Sequence, residues 1–180
     1  MNDFLPSEYE LPVSENRFTK FEKDKTIRIR ILPSGLKSNC MVFWEYFQTQ
    51  TDWKVKPIRN VKKFQETPWI EKNREQKEVW AMKVYNYDTA SIQICSISQK
   101  SLKQTIMWFI NDNDYWNPLG FDLKISKTWE WLDTKYWIVP TPPKEFDISL
   151  IEWKDIKINW FKFLNSEKDI FSEEIEEASE

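Results

Sequence analysis

The chain of 180 residues contains no histidine, only two glycines and only two cysteines. Without histidine it cannot build a Ser-His-Asp triad, a Cys-His dyad or an imidazole metal site. Cys40 and Cys95 are too few for a four-ligand zinc site, and Gly35 and Gly120 are too isolated for a glycine-rich phosphate-binding loop. We therefore expect a protein that is not an enzyme and that holds no cofactor and no metal ion.

Long apolar stretches and a leader segment are also missing. No run approaches the roughly 18 apolar residues that a membrane-spanning helix needs. The first residues, MNDFLP, lack the basic and apolar parts of a secretory signal. Because the low cysteine count also fits a reducing compartment, the sequence predicts a cytoplasmic protein without a membrane partner.

The net charge of −3 conceals an uneven distribution. Residues 167–180 (EKDIFSEEIEEASE) hold seven acids and one lysine, a net charge of −6, so the preceding 166 residues carry +3. Such a segment is typical of a disordered solubilising tail. It can equally act as a tethered competitor for an anionic ligand, with Phe171 and Ile175 as apolar anchors. Both interpretations stay open.

The pattern of apolar residues predicts mostly strands. In Thr26–Leu32, three isoleucines point to one face, while Arg28 and Arg30 point to the other. Further strands are predicted at 41–48, 79–87, 91–97, 121–125 and 136–139, with a short extension at 55–60 and a loop at 127–134. One helix is predicted from Ser98 as N-cap to Asn111, since the apolar residues there recur at helical spacing.

One helix between the third and fourth strands is typical of the OB-fold, a five-stranded antiparallel barrel. We therefore predict a mainly β protein with an OB-fold-like antiparallel barrel, one helix between strands and a disordered acidic C-terminal tail. The predicted divisions are a flexible arm at 1–16, the barrel at 17–143, a C-terminal extension at 144–166 and the acidic tail at 167–180.

Basic and aromatic side chains are interleaved on the early strands. Cations can follow a phosphate chain and aromatic faces can stack unpaired bases, so this mixture predicts a surface for single-stranded nucleic acid. For any single aromatic residue, a core position is the more common outcome. The candidate binding residues are Arg28, Arg30, Trp44, Tyr46, Lys54, Lys56, Arg59, Lys62, Lys63, Trp80, Lys83, Tyr85 and Tyr87.

Two other functions remain open. Asp112, Asp114 and Asp122 are carboxylates of the kind that could hold Mg²⁺ in a metal-dependent nuclease. A helix-ending turn rich in Asn and Asp is the simpler explanation of the first two. Alternatively, the chain is a β-sandwich virion or adaptor protein whose basic face contacts another protein.

Several short segments resemble those of phage-encoded single-stranded DNA-binding proteins. They are FWEYF (43–47), KPIR (56–59), WAMKVYNY (80–87), IQI (92–94) and DTKY (133–136), which occur in a consistent order within residues 18–143. The C-terminus departs from the family pattern, because the family's tails often end on an aromatic residue and this one ends Ala-Ser-Glu. The zinc ligands that some phage relatives carry are also absent.

The resemblance implies an OB-fold core that coats transiently unwound DNA without sequence preference during replication and recombination, in the cytoplasm of the host cell. It also implies that the acidic tail contacts replication proteins. By position, the implied stacking residues are Trp44, Tyr46, Trp80, Tyr85 and Tyr87, and the implied phosphate contacts are Lys56, Arg59 and Lys83.

Eleven tryptophans stand against the two glycines, although about 7% of residues, roughly 13 in a chain of this length, are ordinarily glycine. Tryptophan occupies turn contexts where glycine is expected, at Trp53, Trp69, Trp116, Trp129 and Trp131. One hypothesis is that UGA codons, read as glycine in the source, were translated as tryptophan. The alternatives are a lineage that decodes UGA as tryptophan, or a genuine aromatic surface.

The recoding hypothesis predicts UGA codons at Trp129 and Trp131, and UGG codons at the strand residues Trp44 and Trp80. The reason is that glycine suits a strand-to-strand turn, whereas tryptophan suits a strand. The codons of the gene, or the mass of the natively expressed protein, check this. UGG at positions 129 and 131 would contradict it.

Overall fold

The computed structural model describes residues 17–65, 75–130, 133–151, 155–167 and 169–174. These residues form nine strands, two α-helices and a short 3-10 helix at Ile148–Ile151. The strands are β1 (Lys25–Ile31), β2 (Met41–Thr49), β3 (Val55–Asn60), β4 (Lys77–Asn86), β5 (Ser91–Ile97), β6 (Asp122–Glu130), β7 (Asp133–Pro140), β8 (Asp155–Ile158) and β9 (Phe171–Glu174). The helices are α1 (Lys100–Ile110) and α2 (Trp160–Leu164).

Seven of the strands form one antiparallel sheet in the order β3-β2-β4-β1-β6-β7, with β5 also paired to β4. The long strand β4 holds the sheet together because it has three partners. Its first half pairs with β2, with Ala81 opposite Met41. Its second half pairs with β1, with Asn86 opposite Ile29, while β5 lies along its other edge. The predicted mainly β, antiparallel fold class is confirmed.

One face of the sheet, which we call the inner face, packs against α1. The predicted alternation in β1 is confirmed, since Ile27, Ile29 and Ile31 are all buried in this core. Helix α1 contributes Leu102, Ile106 and Phe109, which are buried, and Ile110, which is partly buried. The helical spacing read from the sequence therefore identified the side of α1 that faces the sheet.

The opposite face, the outer face, is covered in part by the C-terminal extension. Phe43 of β2 and Ala81 of β4 are both 0% exposed and pack with Trp160 and Phe163 of α2. Arg59 fastens this contact, because its guanidinium donates to the Phe163 carbonyl oxygen at 2.8 Å and lies 4.3 Å from the Phe163 ring. The extension is thus an integral second layer over β2, β4 and β5.

Three predicted boundaries differ from the structure. Residues 55–60 are a full strand paired with β2, because Lys56 and Arg59 continue the ladder of the hairpin. The predicted loop at 127–134 is mostly strand, since β6 and β7 pair as far as Glu130 and Asp133. The helix cap is Gln99, whose side chain makes no capping hydrogen bond, and not Ser98.

Part of the segment predicted as a disordered acidic tail is a strand. Residues Phe171–Glu174 form β9, which pairs with β8, so this part of the segment is ordered structure. Phe171 packs against two clusters on the outer face, and its role as an anchor for a competing acidic tail stays a prediction. The acidic residues after Glu174, and the predicted anchor Ile175, lie outside the described residues, as does the predicted arm at 1–16.

The tryptophans divide by environment. Trp44 and Trp80 lie in strands as predicted, whereas Trp129 lies in β6 opposite Thr134 and not in a turn. Trp53 lies in the β2–β3 turn, is 87% exposed and has a φ of 63°, a left-handed conformation that favours glycine. Trp116 is also exposed, in the loop after α1. Trp69 and Trp131 lie outside the described residues.

We expect Trp53→Gly to raise the free energy of unfolding by about 1 kcal/mol, because a side chain at a left-handed φ costs roughly 1–2 kcal/mol and glycine removes that cost. Urea denaturation measures the change. The matched control is Trp116→Gly, since Trp116 is comparably exposed at 69% but has no positive φ. A gain in the control as large as that at position 53 would contradict the conformational explanation.

Candidate nucleic-acid interface

Strand register assigns the candidate residues that lie within strands to one or the other face of the sheet. Arg28 lies opposite Lys124, and Arg30 lies opposite Tyr85, so these residues share the outer face. Trp44 lies opposite Glu78, one residue out of phase with Val79 of the outer core, so Trp44 is on the inner side. The basic and aromatic residues that the sequence grouped together are therefore distributed over both faces.

A buried charge network stands at the start of β6. Asp122 is 0% exposed and forms ion pairs with both Arg28 and Arg30. Arg28 Nε donates to Asp122 Oδ2 at 2.8 Å, and the Tyr87 hydroxyl donates to Oδ1 at 3.1 Å. The backbone N–H of Asp122 donates to Thr141 Oγ1 at 3.0 Å. Asp122, at the start of β6, thus connects β1 with the residues that directly follow β4 and β7.

The groups of this network shift the pKa values of one another. Burial by itself would raise the pKa of Asp122, but the hydrogen bonds and charges of Arg28 and Arg30 outweigh it and lower that pKa. Burial, together with the neighbouring Asp122 carboxylate, raises the pKa of the Tyr87 hydroxyl. Asp122 is consequently an ionised carboxylate at neutral pH, and Tyr87 remains a neutral hydrogen-bond donor.

Beyond this network, the outer face of β1, β6 and β7 carries exposed cations around a tryptophan. Trp137 is 62% exposed and lies opposite Ser126, next to the Lys124–Val139 and Thr128–Lys135 pairs. Lys124 and Lys135 are exposed, and Arg28 is partly exposed. We call Arg28, Lys124, Lys135 and Trp137 the outer basic face. An aromatic plane among cations can bind both parts of a nucleotide chain.

Sequence reasoning missed three of these four residues. Lys124, Lys135 and Trp137 belong to β6 and β7, which the sequence showed only as short strands. Their alternation with buried Leu123 and Ile125 was the available signal. Lys135 shares a face with Trp137 by alternation along β7, but only the register between β6 and β7 brings Lys124 to the same surface.

A second basic and aromatic surface lies on the β2–β3 hairpin and the loop after it. Trp44 is partly buried, with Lys63 Nζ 5.3 Å from its ring centroid. Tyr46 packs edge-to-face on Phe64 with centroids 4.9 Å apart, and Lys56 lies on the same face, opposite Gln48. We call Trp44, Tyr46, Lys56, Lys63 and Phe64 the hairpin surface. Four of the five are candidates from the sequence.

Five of the other predicted residues are buried in the fold or make contacts that stabilise it. Arg30 is 1% exposed and pairs with Asp122, Tyr85 is 4% exposed and packs against Phe146, and Lys83 is 6% exposed. Arg59 pairs with Glu45 at 2.7 Å, and Trp80 packs against the inner core. These five side chains are engaged by the fold, so we leave them out of the interface.

Two predicted lysines and Tyr87 complete the set. Lys54 is exposed in the hairpin turn with its Nζ 3.2 Å from Asp52, and Lys62 is exposed beside the hairpin surface. Tyr87 is partly exposed, with the Arg28 guanidinium 4.5 Å from its ring centroid. Tyr87 therefore borders the outer basic face through Arg28, whereas both lysines belong with the hairpin.

The carboxylates considered for a nuclease have different structural roles and do not form one site. Asp112 Oδ1 accepts a hydrogen bond from the Asp114 backbone N–H at 2.8 Å, which is the helix-ending turn expected from the sequence. Asp122 is occupied by two arginines. No cluster of three or more His, Cys, Asp or Glu side chains that could hold a metal ion occurs within the described ranges.

Both cysteines are free thiols. Burial raises the pKa of Cys40 to about 11 and that of Cys95 to about 12. The thiolate is the reactive form, so both thiols are unreactive at neutral pH. They serve as small core residues, with Cys95 at 0% exposure.

Comparisons with known proteins give no family for this chain. No protein-family model, curated protein or solved structure matches it. Among the described residues, neither helix has the length and apolar character needed to span a membrane.

We expect Asp122→Asn to lower the free energy of unfolding by about 3–5 kcal/mol at neutral pH, because it leaves two arginines without their buried counter-charge. The lowered pKa of Asp122 means that its stabilising effect is present above the unfolded pKa of about 3.9 and is lost as the pH falls towards the folded pKa. The difference between wild type and variant should therefore shrink below about pH 4. Urea denaturation across pH measures it.

A milder variant provides the control for this experiment. Tyr87→Phe removes one hydrogen bond to the carboxylate but leaves both ion pairs, so about 1.5 kcal/mol of destabilisation is expected. If Asp122→Asn cost no more than Tyr87→Phe, the central role of the charged network would be wrong.

Proposed function

We propose that this protein binds single-stranded DNA without sequence preference, through aromatic stacking and phosphate contacts, and that it acts in phage DNA replication and recombination. The observation that carries the proposal is the outer basic face, where exposed Trp137 stands among Lys124, Lys135 and Arg28. Stacking of an unpaired base contributes about 1–3 kcal/mol, and neutralising phosphates releases counterions. These are the two interactions that binding without sequence preference requires.

The connectivity of the sheet supports an OB-fold-like barrel. If the β2–β3 hairpin is treated as an insertion, the remaining order is β1, β4, β5, α1, β6 and β7, with β1 between β4 and β6. This is five antiparallel strands with one helix between the third and the fourth. Within the described part of the chain, β5 and β7 are not paired, and α1 packs against β7. The barrel we propose is therefore open along that side.

The hairpin surface offers a second set of contacts of the same kind. Lys56 and Lys63 supply cations beside Trp44 and Tyr46, and the nearby Lys62 adds a third. This surface lies on the other side of the sheet, and its Trp44 and Tyr46 are partly buried, whereas Trp137 is exposed. We therefore assign the main DNA contact to the outer basic face. The hairpin surface would then engage an adjoining length of the strand.

The position of the C-terminal extension supports a regulatory role for the acidic tail. Phe171 anchors β9 on the outer side of the sheet, the same side as the outer basic face. The acidic residues that follow Glu174 are joined directly to this strand, and in this proposal they compete with DNA phosphates. Released from that surface by bound DNA, they would be free to contact basic replication proteins.

We expect Trp137→Ala to weaken binding of oligo-dT by about 1–3 kcal/mol, because it removes one stacking platform. Fluorescence titration at low salt measures the affinity. The matched control is Trp108→Ala, since Trp108 is similarly exposed at 67% but lies on α1, away from the outer basic face. The control should bind as the wild type does.

The same titration separates the alternatives. Binding should weaken steeply as salt is raised and should favour single-stranded over duplex DNA. Equal loss in both tryptophan variants would contradict the assignment to the outer basic face. No binding of the wild type at low salt would contradict the proposed function and favour a virion or adaptor role, and Mg²⁺-dependent cleavage of the labelled DNA would favour a nuclease.

A further inference from the structure

Lys144, from the segment that follows β7, reaches the buried charge network of β1 and β6. Its Nζ lies 3.8 Å from Asp122 Oδ2, the same oxygen that accepts a hydrogen bond from Arg28 Nε at 2.8 Å. The two nitrogens are therefore no farther apart than the sum of these distances, 6.6 Å. Both side chains also reach solvent, since Lys144 is 52% exposed and Arg28 is 34% exposed. A single anion at the surface can thus contact both cations.

The backbone of Lys144 is fixed on two sides. Its N–H donates to the Gly120 carbonyl oxygen at 2.9 Å, and its carbonyl oxygen accepts a hydrogen bond from Arg30 Nη1 at 3.0 Å. Gly120 lies two residues before β6, so these bonds place Lys144 beside the start of that strand. The lysine is thus held at the border of the outer basic face, although in sequence it belongs to the C-terminal extension.

Arg28 and Lys124 bring further positive charge to the same point. They lie opposite one another in the β1–β6 pair, and like charges in that position destabilise a sheet. Lys124 is exposed and forms no ion pair with the described residues. The Arg28 guanidinium lies 4.5 Å from the ring centroid of Tyr87, and its Nη1 makes no hydrogen bond within the same residues. The fold therefore brings together cations that a bound anion would stabilise.

One carboxylate serves three cations in this network. Asp122 forms ion pairs with Arg28, Arg30 and Lys144. The acids that follow Lys144 in sequence, Glu145 and Asp147, form no ion pair with it in the part of the chain that the structure describes. Asp122 consequently balances one of the three positive charges, and the other two have no ion-pair partner of their own there.

We propose that Arg28, Lys124 and Lys144 form a clamp for one phosphate of the bound strand, which we call the phosphate clamp. This inference rests on the proposed function and adds to it a residue that the sequence did not suggest. The two non-bridging oxygens of a phosphodiester accept hydrogen bonds from Arg28 and Lys144 together, and Lys124 approaches from the neighbouring strand. Asp122 is 0% exposed, so it holds the cations without contacting the DNA itself.

The position of the phosphate clamp indicates how the DNA crosses the sheet. Trp137 lies on β7, and Arg28 lies two strands away on β1 and two residues farther along. At the spacing of strands and residues in a sheet, this separation is roughly 12 Å. A base stacked on Trp137 and a phosphate in the clamp therefore belong to nearby nucleotides, and the DNA crosses β7, β6 and β1 in turn.

Lys144→Gln tests the phosphate clamp, because it removes the charge and keeps the backbone bonds to Gly120 and Arg30. The matched control is Lys100→Gln, which removes an exposed lysine at the start of α1, away from the outer basic face. Lys144→Arg keeps a positive charge in the same place. Oligo-dT and an abasic oligonucleotide of equal length are titrated against each full-length protein at several salt concentrations.

We expect Lys144→Gln to make the slope of log affinity against log salt less steep by about 0.7, because each phosphate contact on a single strand contributes that amount. The same contribution corresponds to about an eightfold loss of affinity at about 50 mM salt. The loss should be equal for oligo-dT and for the abasic strand, since the clamp contacts a phosphate and not a base. Lys144→Arg and Lys100→Gln should both bind as the wild type does.

Three results would overturn the inference. Equal salt slopes for Lys144→Gln and Lys100→Gln would remove the phosphate clamp and leave the proposed function standing. A loss in Lys144→Gln that is confined to oligo-dT would show a base contact instead, with the same consequence. Failure of the wild type to bind oligo-dT at low salt would remove both the clamp and the proposed function.

Discussion

The ion pairs of Asp122 with Arg28 and Arg30 are the interaction on which the rest of the structure depends. A carboxylate at 0% exposure is stable only with its counter-charges in place. Because those arginines lie on β1 and Asp122 begins β6, the network secures the pairing of the two strands. Arg30 also binds the carbonyl oxygen of Lys144, so the segment that leaves the sheet is held as well. The outer basic face borders this carboxylate through Arg28.

Both faces of the sheet are apolar, so each packs against another layer of the structure. The part of the sheet that these two layers leave exposed is the surface available to a ligand. Helix α1 covers the inner face, and the extension with α2, β8 and β9 covers the outer face of β2, β4 and β5. The outer face of β6 and β7 keeps Trp137 and Val139 exposed. Tyr85 is of a residue type that binding surfaces use, but it lies under the extension, and Lys83 is buried as well.

The sequence predicted the residue types of the candidate site, which are basic and aromatic, but only some of the residues that form it. The hairpin lysines and Trp44 were found because their segment is both basic and aromatic in sequence. Trp137 was not found, since two of its three cationic neighbours, Lys124 and Arg28, come from the pairing of β7 with β6 and of β6 with β1. Arg30 was taken for a surface residue because alternation shows which residues share a face, but not whether another segment covers that face.

The sequence by itself determined the antiparallel β character, the amphipathic helix α1 and the core isoleucines of β1, because these follow from local periodicity and apolar side chains. The absence of histidine also limits the chemistry, because it removes the most common general base and metal ligand. Only the tertiary structure decided which basic residues reach solvent and which neutralise a buried carboxylate. That outcome depends on strand register and on a C-terminal layer more than 100 residues away in the chain, as the 126-residue separation between Trp160 and its partner Ser34 illustrates.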